Sequence, residues 1–258
     1  QLMRYLFLTF LCFTVNVGCS TQQSQKVVVS SDANVNVVGN GVRIRYMLIE
    51  SSDDASFDSI EIVGRHIHSE EHSLALQHEG FVVRVAQTET LNELLNSYGK
   101  TEDHKQVFHG QIVNWRDVQQ QEVNKQGMVV TFQDKPYAIN DGYLSLLTRA
   151  FEMRREDGLF TYVQVVPTWH VPRGSSALIG DRQTPKRSKV FTELQFDELL
   201  EDGESLLVAT NLEPASTASS GPQDDGPLPV SLSEAVMGKS VEKAMIAVVM
   251  IESHLQVQ

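Results

Sequence analysis

Ala244-Met245-Ile246-Ala247-Val248-Val249-Met250-Ile251 is an unbroken apolar run near the end of the chain. Such a run is far shorter than the roughly 20 residues a helix needs to cross a bilayer. It is rich in β-branched side chains, whose restricted χ1 suits the pleated backbone. The run predicts a buried strand returning to a sheet, with a hydrophobic helix as the competing assignment.

Working back from it, the stretch 213–229 holds Pro214, Pro222, Pro227 and Pro229, two glycines, three serines and almost no large apolar residue, which predicts a disordered loop. Before it, short β-branched or alternating runs at 107–113, 127–132, 144–153, 159–170, 189–199 and 205–210 are separated by turn residues. Asn140-Asp141-Gly142, Glu156-Asp157-Gly158 and Glu201-Asp202-Gly203 supply backbone angles that close hairpins at low cost. The region 107–211 therefore reads as mainly antiparallel sheet, with a polar excursion from Pro172 to Lys186.

Further upstream the texture is mixed. Val42 to Ile49 and Phe81 to Val85 read as strands. Ser69-Glu70-Glu71-His72 resembles a helix start with acid in its first turn, continuing to a cap at Gly80. Leu91, Leu94 and Leu95 mark a second helix over Glu89 to Tyr98, ended by Gly99. The expected fold class is α+β: a small mixed module at 35–106 and a mainly antiparallel β module at 107–258.

The start of the sequence points to export. Met3-Arg4 precedes an apolar stretch from Tyr5 to Val15, the pattern of a signal peptide over residues 1–19. Val17-Gly18-Cys19-Ser20 places small residues before a cysteine, favouring lipid attachment at Cys19, although Asn16 stands where a lipobox usually has Leu. A polar tether at 20–34 follows. Cys12 and Cys19 are the only cysteines, so no disulfide, thiolate catalysis or Cys-ligated metal is expected in the body. The formal charge of −12 argues against a broad basic face for nucleic acid or anionic lipid; Lys186, Arg187 and Lys189 make one small basic cluster, read as a solvated turn.

Several segments in order resemble a group of uncharacterised exported proteins of planctomycete-type bacteria. They are Ile44 to Asp54, Glu79 to Val85 (departing from the group at Glu79 and Phe81), Leu159 to Pro167, Phe191 to Leu194, Leu200 to Val208, and Ser231-Leu232 with the terminal run. The resemblance implies an exported protein and no particular activity. The central strands with Glu201-Asp202-Gly203 are also similar to the β-rich core of secretins, the outer-membrane channels of secretion systems.

His66, His68, His72 and His78 with Glu70 and Glu71 form the densest group of potential metal ligands. Imidazole and carboxylate suit zinc, and His66, His68 and His72 are the candidates, yet no metalloenzyme spacing is met and a solvated connection is the commoner origin. Ser175 and Ser176 follow a glycine but lack the nucleophile elbow. The carboxylate pairs Asp53/Asp54, Glu70/Glu71 and Asp224/Asp225 read as solvated turns, and Gly238-Lys239-Ser240 lacks the upstream glycine of a phosphate loop. Trp115 and Trp169 read as core or interface residues.

No catalytic residue and no cofactor is expected. The sequence predicts a non-enzymatic interaction or assembly protein of the cell envelope on the periplasmic face of a membrane, the outer membrane favoured, with a protein partner and membrane contact through the lipid alone. The alternatives are a diverged component of a secretin-like assembly and a metal-dependent hydrolase; a carrier of a small ligand is a third possibility.

Overall fold

A computed structural model describes residues 39–51, 57–67, 69–98, 101–123, 127–171, 188–212, 229–238 and 243–256. The terminal apolar run is a strand, β13 (Met245–His254), and it is the middle of a five-stranded antiparallel sheet. Its neighbours are β1 (Gly41–Glu50) and β11 (Glu204–Leu212), flanked in turn by β3 (Thr101–Gly110) and β2 (Val82–Gln87).

Both faces of β13 are covered, which is why its sequence does not alternate. Met245, Ala247, Val249 and Ile251 join the larger core, while Ile246, Val248 and Met250 face the other way. On that second side lie α1 (Phe57–Ile62) and α3 (Thr88–Ser97), which contribute Ile60, Leu91 and Leu95.

A second antiparallel sheet closes the larger core. It runs β10 (Phe196–Leu200), β8 (Gly158–His170), β7 (Tyr143–Arg155), β4 (Ile112–Glu122), with the two-residue β9 (Lys189–Val190) also on β8. Leu144, Leu146, Val163 and Val165 meet the β13 face. A hydrogen bond between the Thr161 and Ser253 hydroxyls, 2.7 Å, links the two sheets inside the core.

The third sheet pairs β5 (Met128–Phe132) with β6 (Lys135–Ile139) and, in parallel, β12 (Pro229–Ser231). Its hairpin turns on Gln133 and Asp134, both at positive φ. Next to it α4 (Leu232–Met237) is capped by Ser231 and Glu234 in a reciprocal box and buries Leu232, Val236 and Met237. A further helix, α2 (Glu70–His78), starts at Ser69, whose hydroxyl accepts from the His72 amide at 3.3 Å.

The α+β expectation is corrected. Strand accounts for 60% and helix for 20% of the described residues, in three sheets with four short helices. The helices expected near 69–79 and 89–98 are present as α2 and α3. The intervening strands do not make a small mixed module of their own: β1 pairs with β13 and β2 with β11, both from the other end of the chain, and β3 joins the same sheet on the outer side of β1. Local periodicity identifies a strand and is silent about its partner.

Other assignments shift. The strand expected at 107–113 is the junction of β3 and β4, divided at Gln111, where Gly110 has φ +62. The one expected at 189–199 is broken into β9, a 3-10 turn at Thr192–Leu194, and β10. No helix among the described residues is long and apolar enough to cross a membrane. Cys19, the leader, the tether and most of the 213–229 loop lie outside the described residues.

Candidate functional site

The most exposed apolar surface of the β7 sheet lies at its edge, on β4. Register slips between Ile112 and Arg116, so residues 113 to 115 form a bulge. A bulge bends the strand and re-aims its side chains. Here Val113 is 63% exposed and Trp115 40%. Arg149 of β7 lies over the Trp115 ring at 5.2 Å and donates to Gln164 at 2.7 Å, which steadies the indole at the surface. β4 and β3 each end their sheet, and Val107 of β3 is exposed as well. The chain thus presents two edge strands joined by a tight corner and carrying exposed apolar residues.

A cavity of about 420 Å³ lies where the β7–β8 and β10–β11 turns meet Arg65 and His66. Arg65 is fixed by two backbone hydrogen bonds to Val85, 2.8 and 2.9 Å. Gly64 permits this approach, at φ +66 with the Val85 carbonyl where a Cβ would stand. The Arg65 guanidinium meets the fully buried Glu198 at 3.0 Å and Glu204 at 3.6 Å.

His66 Nδ1 lies 3.1 Å from Arg84 Nη1 and 3.2 Å from Ser73 Oγ. A guanidinium can only donate, so this nitrogen accepts and the neutral ring carries its proton on Nε2. Burial lowers the Arg84 pKa, opposed by the Glu61 carboxylate, and Arg84 Nε also donates to the Glu61 carbonyl at 2.7 Å. Asp157, Glu201 and Glu204 face Arg65 and Arg155 across the cavity, and no hydroxyl, thiol or amine side chain lines it among the described residues. Its charged lining can hold a polar group.

Of the metal candidates, His66 and His72 are among the described residues. His66 is committed to Arg84 and Ser73, His72 is exposed on α2, and His68 lies outside the described residues. Among the described residues no three His, Asp, Glu or Cys side chains gather in a group able to hold a metal ion. His78 instead meets Glu79 at 3.2 Å, and the Glu79 carboxylate also accepts from the Gln133 amide at 2.9 Å. Glu70 and Glu71 are exposed in the first turn of α2. Ser175, Ser176, Asp53, Asp54, Asp224, Asp225, Lys186, Arg187, Lys239 and Ser240 lie outside the described residues.

One constellation escaped the sequence because its members come from three strands. His170 Nε2 lies 3.1 Å from Ser145 Oγ and 3.2 Å from Asp117 Oδ1, with Tyr143 stacked on the imidazole at 4.6 Å. A catalytic triad requires the acid on one ring nitrogen and the nucleophile on the other. Here both oxygens share Nε2, and Ser145 is fully buried, so the group joins β4, β7 and β8 without activating a hydroxyl. Burial, then the Asp117 charge and hydrogen bond, push the Tyr143 phenol upward.

A second cavity of about 470 Å³ is bordered by Thr210, Ser231 and Ser233. Their hydroxyls form a chain, Thr210 donating to Ser233 at 2.9 Å and Ser233 lying 3.0 Å from Ser231. The chain ends in the Glu234 carboxylate of the α4 cap, which makes it part of the helix start. Trp169 is held by a 3.0 Å bond to the Asp141 carbonyl and packs against the larger core. No protein-family model, curated protein or solved structure matches the chain.

Proposed function

We propose that this protein is an exported component of the cell envelope, tethered to a membrane by a lipid on Cys19, that works through protein–protein contact and performs no catalysis. The observation that supports contact is the β4 bulge, which turns Val113 and Trp115 out of the sheet at an edge that no other described strand pairs. Exposed apolar residues beside unpaired backbone suit a protein partner, because strand addition satisfies the edge while apolar side chains are buried. Support for export and lipid attachment comes from the apolar leader and Val17-Gly18-Cys19.

Crosslinking in the native envelope tests the contact. The wild-type chain is expected to yield a defined crosslinked partner, and Val113→Ser with Trp115→Ala to lose it while keeping its thermal midpoint. Recovery of free monomer alone from the wild type would overturn the reading. Mass spectrometry of the membrane fraction should find a diacylated Cys19 as first residue. A different mature start removes the anchor and leaves the contact proposal standing.

A further inference from the structure

The side chain of Lys189 ends in a box of three aromatic rings. Its Nζ lies 3.9 Å from the Tyr137 ring centroid, 4.7 Å from Phe132 and 4.8 Å from Phe191. Phe132 and Phe191 meet edge to face, 5.0 Å apart at 70°, and Phe132 and Tyr137 are tilted at 53° with centroids 6.1 Å apart. The walls therefore converge on one point from different directions.

Their positions are set independently of Lys189. Phe132 ends β5 and Tyr137 lies on β6, across the Gln133-Asp134 turn. The Phe191 amide donates to the Pro167 carbonyl at 3.0 Å, and both phenylalanines are buried. Ring faces are electron-rich and attract a cation, more strongly when it is desolvated.

The internal occupant is an imperfect match for this chemistry. A primary ammonium carries three N–H donors, and ring faces satisfy donors poorly. Among the described residues, no carboxylate or carbonyl is paired with the Lys189 ammonium. A quaternary ammonium has no N–H to satisfy and gives up its weaker hydration more easily. The backbone of Lys189 is tied to β8 by a short ladder, Trp169–Lys189 and Thr168–Val190, so it is the long side chain alone that enters the box.

We propose that the Phe132–Tyr137–Phe191 box is a binding site for methylated ammonium groups of the choline class, with Lys189 as the internal occupant that an external ligand displaces.

The test is titration of choline and tetramethylammonium into the full chain, wild type and Lys189→Ala, with the ligand methyl protons followed by NMR. Ring currents should move the methyl signal upfield. Binding should be about tenfold tighter in Lys189→Ala, the loss of one competing cation–aromatic contact. Adding Tyr137→Ala to Lys189→Ala should abolish the shift, and ammonium chloride should not compete. Circular dichroism confirms folding of each variant; Lys189→Gln, which keeps a long neutral stem, replaces any Lys189→Ala chain that fails to fold. No methyl shift in a folded Lys189 variant, or a shift that survives Tyr137→Ala, would overturn the proposal.

Discussion

Glu252 Oε2 lies 3.2 Å from Arg43 Nη1, although the Glu252 side chain is only 3% exposed. The two residues face each other in register on β13 and β1. Arg45, two residues along β1, pairs with the other carboxylate oxygen and also donates to Asn92 of α3. His254 Nε2 stands 3.5 Å away. Beneath the helix layer, a strand that reads as apolar thus carries an ionic cluster.

This cluster sets an acid sensitivity. Burial raises the Glu252 pKa, but the hydrogen bond from His254 and the charges of Arg45 and Arg43 together outweigh it, leaving the carboxyl below its usual value of 4.5. A folded-state value below the unfolded one stabilises the protein above the unfolded value, and that contribution is lost as pH falls through the folded one. Glu252→Gln should cost about 3–5 kcal/mol at pH 7, because two arginines lose a buried partner. Urea unfolding at pH 7, 5 and 3.5 checks both points: the variant should lose less stability on acidification than the wild type, and equal losses would count against the assignment.

The two-sided burial of β13 predicts matched effects from opposite faces. Ile246→Ala opens space beneath α1 and α3, and Ile251→Ala opens it between the two large sheets. Each should destabilise by about 2–5 kcal/mol by denaturant midpoint. Val190→Ala, on a half-exposed side chain, should fall within about 0.5 kcal/mol of wild type. A small effect at either isoleucine would mean that face is not packed as described.

Arg65 and Glu198 form an asymmetric pair, the carboxylate fully buried and the guanidinium 40% exposed. Removing Arg65 takes the ion-pair partner from a buried carboxylate, so Arg65→Ala should cost about 3 kcal/mol. Glu204→Ala removes the longer contact together with an exposed 3.0 Å bond accepted from the Glu201 amide, and should cost about 1 kcal/mol. Thermal melts of the two variants and of Arg65→Ala/Glu198→Leu decide it: the double variant should recover part of the loss, and a single-variant cost independent of residue 198 would argue against pairing.

The positions of most strands and of α2 and α3 were legible, because alternation, helical spacing and turn chemistry act over a few neighbouring residues. Ser69 with Glu70 and Glu71 marks the start of α2, and Glu156-Asp157-Gly158 marks the β7–β8 hairpin. The candidate surface was legible only as a choice: Trp115 read as core or interface, and its exposure depends on β4 ending a sheet and bulging there. Lys189 read as part of a solvated basic turn, since nothing within its own strand announces Phe132 and Tyr137, more than fifty residues away.

By itself the sequence determined that Met245 to Ile251 would be buried, with a strand favoured over a hydrophobic helix, because an unbroken branched apolar run has no stable place at a surface. Only the tertiary structure decided that this strand would sit between β1 and β11, with Glu252 facing Arg43 and the helices on one side. Pairing across some 200 residues is selected by the combined burial of two sheets and a helix layer, a cooperative outcome that no local window of residues contains.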